Sequence, residues 1–580
     1  ALLAAQGLAM PGVATAPMPV LAAAGPAKAK SEKRELPLYA VRWTPATASD
    51  AAAEQVAPLF VSLAEELPEA LLAAAVTAIR AGQPVVAACG AVLNGEPMEA
   101  EVRQAWHFVQ LVQRLLEEGC GGRLLLACPA AASGAMVVGA SKAVALEASE
   151  LQIQRVFLPS GSLENVEARA AEMFALAQRH RQEVDLWVQD DAFHGPIYAP
   201  RLEPMPEPST RLPCFPKRGA DGSLPVFILT GATGGLGKAV VEWMLKEQGL
   251  LPEQLLLLRR AGSAPLTGVL AECRVVEVER VDSEEALLAS PLSELRSVAG
   301  VLHLAGVLDD GIVQGMTEER MRKVARPKCD LLAALLRAGK ALSWPLRWAV
   351  GFSSTSSLFG YPGQVNYCAA NAVLDQLAAF GGVGQLPEGD QAPCRVMAIN
   401  WGPWAEAGMA KVGTKAYEQA LQDGDTPLPN ATALACLAAA LRVAGQAQPA
   451  AAQFCACDVD WARSQWRHLP ILELLGDDLG PAAVEAEAAA AAPAAGGAAA
   501  SGVDVRKSVQ DFLLQHTKNG SSWKRVEKKS LHQLGLDSLE IVQVRNLFNK
   551  RFSVNVPLGL VADSSRKLGE LTEDLLRHVE

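Results

Sequence analysis

The 580-residue sequence has no run of eighteen or more apolar residues free of charge or proline, so no transmembrane helix is expected. Alanine-rich stretches such as 488–500 are too weakly hydrophobic to insert stably into a bilayer. The eleven cysteines are scattered, odd in number and never spaced as C-x-x-C, which argues against a zinc site or a disulfide framework and for reduced thiols. A cytoplasmic setting and no metal are expected on that ground. There is also no long basic run. With 52 Lys and Arg against 63 Asp and Glu, the formal net charge is −11, and nucleic acid is not an expected partner. The opening thirty residues carry Pro11, Pro17, Pro19 and Pro26 among alanines without the build of a signal peptide, and read as a linker within a longer polypeptide.

What is present is an ordinary globular composition, 50% hydrophobic and 20% charged, long enough for about four compact units of roughly 150 residues. Low-complexity segments divide it. Residues 1–35 and 476–502 read as flexible linkers, and five prolines within 203–223 separate two longer blocks. In the block 36–220, strand-like runs at 38–43, 84–88, 123–128, 155–158 and 185–188 alternate with helical patterns such as 104–118. The block 221–475 repeats the alternation with runs at 225–230, 255–258, 274–278, 300–304, 346–353 and 395–400. This predicts an α/β fold of two Rossmann-like halves, the second a doubly wound parallel sheet. In 503–580 the helical spacing of Val509, Phe512 and Leu513, then Leu539, Val542, Val544 and Phe548, predicts a small all-α bundle.

The strand 225–229 runs into Thr230-Gly231-Ala232-Thr233-Gly234-Gly235-Leu236-Gly237 and then a helical pattern. Glycines there let the backbone approach a pyrophosphate, whose charge meets the N–H groups of the following helix. Thr230, Gly231, Gly234, Gly235, Leu236 and Gly237 are therefore candidate cofactor residues. At the end of the next strand stand Arg259 and Arg260 rather than an acid; a guanidinium suits a 2′-phosphate, so NADPH is expected over NADH.

Ser354 closes another strand, and Tyr367 and Asn371 follow one helical turn apart on one face. That set can serve a carbonyl whose oxygen must receive a proton. A tyrosine of pKa about 10 donates well near neutrality only if a cation favours its phenolate, so a lysine is required. Spacing alone leaves Lys328 and Lys323 both open.

Several motifs together resemble the ketoreductase domain of modular type I polyketide synthases, within the short-chain dehydrogenase/reductase superfamily. They are Thr230 to Gly237, Leu258-Arg259-Arg260, His303 to Asp310, Phe352-Ser353-Ser354, Pro362 to Tyr367, and Asn400-Trp401-Gly402-Pro403-Trp404. The resemblance favours Lys328. It implies that Ser354 hydrogen-bonds the substrate carbonyl, Tyr367 donates the proton, Lys328 lowers the tyrosine pKa and Asn371 completes a proton relay. Two departures stand out: Ala232 replaces a frequent glycine, and the Lys328 to Ser354 spacing is slightly long. Leu308-Asp309-Asp310 is similar to the signature of B-type enzymes, and Phe359 stands where A-type enzymes often carry Trp, which implies a D-configured β-hydroxyl. The first half resembles the truncated, cofactor-free half of the same enzymes, in 38–43, Gly139 to Glu147 and 198–202.

Gly535-Leu536-Asp537-Ser538-Leu539 precedes a helical pattern, so Ser538 stands at a helix N-terminus where a phosphate is welcome. The segment resembles an acyl carrier protein, which implies 4′-phosphopantetheine on Ser538. Expected partners are then a β-ketoacyl thioester, a phosphopantetheinyl transferase, and ketosynthase and acyltransferase domains, with a dehydratase as an optional addition. The carrier segment holds thirteen Lys and Arg against ten Asp and Glu, so docking through an acidic helix is less expected than tethering by the alanine-rich linker. A catalytically silent reductase acting as scaffold, and the equivalent fragment of a fatty acid or polyunsaturated fatty acid synthase, remain alternatives.

Overall fold

The computed structural model describes residues 36–579 except 50–55, 91–96, 132, 160–164, 190–192, 194, 206–213, 216–221, 382–393, 409, 445–451, 480–501, 518–521, 537, 553 and 555. The opening linker, most of the proline-rich break, nearly all of the alanine-rich linker and Asp537 lie outside the described residues.

Fourteen strands form one continuous sheet. The first half supplies β1 (Leu38–Pro45), β2 (Leu59–Ser62), β3 (Val85–Ala88), β4 (Gly122–Pro129), β5 (Leu151–Leu158), β6 (Asp185–Val188) and β7 (Ile197–Pro204). The second supplies β8 (Val226–Thr230), β9 (Leu255–Arg260), β10 (Arg274–Val278), β11 (Val298–His303), β12 (Trp348–Ser354), β13 (Arg395–Trp401) and, after the short β14 (Asp425–Thr426), β15 (Gln453–Ala456). The order is β10-β9-β8-β11-β12-β13-β15-β1-β7-β6-β5-β4-β3-β2. Within the large sheet the second half pairs in parallel throughout, and the order reverses between β8 and β11; such a reversal opens a ligand crevice at the carboxyl ends of the strands. The first half runs from β2 to β6 without reversal, so it has no equivalent crevice. β1 joins the halves, antiparallel to β15 on one side and to β7 on the other.

Why β9 reads as four unbroken leucines follows from its surroundings. Leu256 and Leu258 enter one core cluster and Leu255 and Leu257 the other, on opposite faces of the sheet. The halves are further locked by two helices. Ala135–Glu147 of the first half packs on Val365–Gly381 of the second, so closely that a Cβ on Gly139 would overlap the carbonyl of Cys368. The segment Pro470–Leu479, which crosses the expected boundary at 475, is tied to β7 by Arg201, whose guanidinium bridges Glu183 and Glu473. All eleven cysteines are buried and free.

Among its described residues, the regular structure of the carrier segment is all helical. Its helices Gly502–Gln515, Ser538–Phe552 and Leu568–Val579 enclose Phe512, Phe548, Leu571 and Leu575. Among the described residues no helix is long and apolar enough to cross a membrane, and no cluster of His, Cys, Asp or Glu could hold a metal ion.

Candidate active site

The glycine loop leaves β8 and enters the helix Gly235–Lys246, whose N-cap Gly234 has no side chain to cap it. Gly231 has φ +69°, and a Cβ there would stand 2.7 Å from the Ala305 nitrogen; one on Gly235 would stand 2.7 Å from the Gly408 nitrogen. Side chains are thus excluded from the loop, and the open helix N-terminus suits a pyrophosphate. Leu236 lines the adjoining cleft, as do Trp401 and Trp404, whose buried indole N–H groups have no protein acceptor and can donate to a polar ligand. These features fit a dinucleotide. Thr230, expected to border it, is fully buried instead: its hydroxyl lies 2.8 Å from Nδ1 of His303 and accepts from the Ala305 N–H. It holds the loop and offers the cleft no side-chain atom. Arg259 donates to the Ala264 carbonyl at 2.5 Å and pairs with Glu277, while Arg260 is exposed at the end of β9.

An open cavity of about 430 Å³ brings Ser354, Tyr367 and Lys328 together. Ser354 ends β12 and caps the short helix Thr355–Phe359, its Oγ accepting from the Ser356 N–H at 3.2 Å. Lys328 is fixed by an irregular turn. Pro327 has no N–H to donate, and residues 326–330 widen into a π turn between the helices Glu318–Ala325 and Leu331–Ala341. The turn sends the lysine inward: Nζ donates to the Phe352 carbonyl at 2.7 Å and lies 5.6 Å from the centre of the Tyr367 ring. Burial pushes its pKa down to about 8. Lys323, by contrast, is exposed and faces Asp309 at 3.4 Å.

The Tyr367 hydroxyl is pushed up to about 12 by burial, which outweighs the downward pull of Asn371 and Ser354. Burial thus makes the phenol a weaker acid here than in water. Asn371 is fully buried, with Nδ2 donating to the Tyr367 carbonyl at 2.9 Å, and its side chain also reaches the Tyr367 hydroxyl.

Leu308 and Asp310 line the cleft, whereas Asp309 turns away. Neither acid caps the next helix, which Thr317 caps. Instead Arg320 gathers the loop, donating to the carbonyls of Asp309 at 3.0 Å, Asp310 at 2.5 Å and Gly315 at 3.0 Å, in the space a Cβ on Gly311 would fill. Asn366 also donates to the Asp309 carbonyl at 2.8 Å, and Gln364 to the Asp310 carboxylate at 3.1 Å. Phe359 is buried and reaches the cleft only through Trp466, which it packs against at 5.0 Å.

Three further positioning residues emerge. His303 lies between Thr230 and the Lys328 carbonyl; burial holds its pKa down to about 3, so the neutral ring accepts at Nδ1 and donates from Nε2. It ties the glycine loop to the lysine turn. Glu147, from the first half, accepts from the Val313 N–H at 2.6 Å and the Gly363 N–H at 2.7 Å, fastening both cleft loops; burial pushes its carboxyl up to about 7. Arg320 is the third. Each sits in a resembling motif or beside one, yet only its partners reveal its part.

The strand order and the cleft define a short-chain dehydrogenase/reductase fold. The KR domain family matches residues 225–406, and the phosphopantetheine attachment site family matches residues 525–575. The pikromycin polyketide synthase component PikAII of Streptomyces venezuelae is 31% identical over 382 residues, covering 60% of this chain and 10% of its own length. Erythronolide synthase EryA2 of Saccharopolyspora erythraea is 31% identical over 356 residues, covering 58% and 9%. The chain thus spans about a tenth of the length of these relatives. Solved A-type ketoreductases from a modular polyketide synthase share the fold with TM-score 0.60 at 20% identity, over 76% of this chain and 98% of theirs. A ketoreductase domain from the bacillaene assembly line does so with TM-score 0.56 at 18% identity, over 74% and 99%. The chain thus carries a KR domain at 225–406 and a phosphopantetheine attachment site at 525–575, and it is similar to segments of modular polyketide synthases.

Proposed function

We propose that the chain reduces the β-keto group of an acyl thioester carried on Ser538, using NADPH, and yields a D-configured β-hydroxyl in the B-type manner. The observation that carries this reading is the convergence of Ser354, Tyr367 and Lys328 on one cleft that continues to the glycine loop. When bound, the nicotinamide supplies a hydride to the carbonyl carbon. Ser354 orients the carbonyl by donating its hydroxyl hydrogen to the oxygen, and Tyr367 delivers a proton to that same oxygen. The ammonium of Lys328, held beside the ring, stabilises the phenolate left behind, and Asn371 supports the tyrosine from the buried side. Arg260, exposed at the end of β9, is a free-standing candidate for a 2′-phosphate, with Arg259 shared between that role and Glu277.

The test is consumption of NADPH and of NADH with a β-ketoacyl thioester surrogate, followed by chiral chromatography of the alcohol. Turnover preferring NADPH and a D-hydroxyl are expected. An L-hydroxyl would remove the B-type assignment alone, and binding of NADPH without oxidation across varied surrogates would favour a silent scaffold.

The loop carrying Leu308 and Asp310 orients the substrate in this reading. Arg320→Ala leaves three carbonyls of that loop without their shared donor, in a half-exposed site where the loss of stability is about 1–2 kcal/mol. A mixture of hydroxyl configurations is the expected product, and an unchanged ratio would show that the clamp does not orient the substrate.

A further inference from the structure

The carrier helix Ser538–Phe552 lies against the reductase, and one of its fully buried residues is a cation. Arg545 is fully buried. Its Nε donates within the carrier segment to the Val556 carbonyl at 2.8 Å, and Nη1 to Asn546 Oδ1 at 2.9 Å. The rest of the guanidinium is turned outward, to the Glu147 carbonyl and the Ser149 hydroxyl, each at 3.2 Å, and to the carboxylate of Glu150. Asn546 adds a bond to the Leu146 carbonyl at 3.0 Å. Leu146 and Glu147 end the helix Ala135–Glu147, where carbonyls lack intrahelical partners and the helix dipole is negative. The carrier therefore supplies the cation and donors that this end requires. Beside the polar contact, Val542 and Leu558 close on Ile312, two residues past Asp310.

The same helix reaches the cleft. Glu540 and Gln543 line the cavity that holds Ser354 and Tyr367. Ser538 begins this helix two residues earlier, about 3 Å along the axis. An arm attached there begins within one helical turn of a residue that lines the cavity.

We propose that this is the delivery dock. The end of the helix Ala135–Glu147 and Glu150 recognise Arg545 of this chain's own carrier segment, hold it with Ser538 at the cleft, and select a basic carrier over one with an acid at that position. The inference rests on the reductase reading and deepens it. It also amends the expectation from charge: tethering raises the encounter frequency, but a specific buried pair sets the orientation. The first half of the reductase thereby gains a task besides stiffening the sheet, because Glu147 holds the cleft loops through its carboxylate and meets Arg545 through its carbonyl.

The experiment uses the full chain, phosphopantetheinylated and loaded with a β-ketoacyl group, as Arg545→Glu, Glu150→Arg and the double exchange. Glu150→Arg leaves the carrier sequence untouched, and loading of Ser538 followed by mass reports that each carrier folds. Each single variant should slow reduction of the carrier-bound substrate at least about tenfold and leave the rate on a free thioester surrogate unchanged, with much of the loss recovered in the double variant. Backbone hydrogen exchange at 146–150 should rise in both single variants. Unchanged carrier-bound rates, or equal losses on carrier-bound and free substrate, would overturn the proposal. If no form reduces any substrate, the reductase reading fails, and unchanged exchange at 146–150 in the variants would then overturn the dock as well.

Discussion

Tyr367→Phe is expected to slow reduction of a β-ketoacyl thioester by about 10²- to 10⁴-fold with NADPH affinity unchanged. The substitution removes one oxygen and keeps the ring packed in the helix Val365–Gly381, so the cleft walls and the glycine loop stay as they are. Only the proton donor is lost. Ser354 still polarises the carbonyl, which leaves a residual rate rather than none. Steady-state oxidation of NADPH measures the loss, and a fluorescence titration of the cofactor checks that binding survives. A variant retaining more than about a tenth of the rate would move the donor to another group or to water.

The acidities found in the cleft make this prediction sharper. With the phenol at about 12, Tyr367 is fully protonated across neutral pH and always ready to donate. The difficulty lies in the phenolate that follows, which the charge of Lys328 must compensate. Because burial lowers Lys328 to about 8, that charge disappears as the pH rises through about 8. The rate of the unmutated protein should therefore fall on the alkaline side of about 8, well below the pH at which tyrosine ionises. An alkaline limb only near 12 would assign the limb to Tyr367 itself.

Legibility followed the physics of each signal. The parallel strands were readable because burial on both faces demands continuous apolar runs, as at Leu255 to Leu258. β7 was not readable because it carries Pro200 and Pro204, residues that sequence logic reserves for edges although β7 lies inside the sheet. Joining the halves into one sheet depends on β1 reaching from residue 38 to β15, a pairing no local window contains. At the site, Tyr367 and Asn371 were visible because one helical turn puts both on one face, and Ser354 because it closes an apolar strand. Lys328 needed the resemblance, since the π turn that aims it leaves no periodic trace. His303, Glu147 and Arg320 act through backbone groups far away in sequence, such as the Glu147 carboxylate on Val313 and Gly363, and side-chain type alone does not announce such partners.

The second large effect is expected far from the cleft, at Gly139→Ala. An alanine in a helix interior ordinarily stabilises by about 1 kcal/mol relative to glycine. Here the opposite should hold, because the added methyl would overlap the Cys368 carbonyl and come within 2.7 Å of the Ala372 Cβ. The atom in the way is backbone of the tyrosine helix, which cannot rotate aside, so the two helices must separate. Overpacking of this kind costs about 1–3 kcal/mol, enough to cancel the helical gain. The larger consequence is catalytic. Cys368 adjoins Tyr367, so any displacement of the helix is passed to the hydroxyl that must meet the substrate oxygen, and a shift of about 1 Å at a reacting group can cost about 10²-fold in rate. The variant should unfold at lower denaturant than the parent and lose kcat far more than cofactor affinity, since the glycine loop lies on the other side of the sheet crevice. A stabilised variant with full activity would show that the halves slide past each other freely, and that the first half does not set the tyrosine's position.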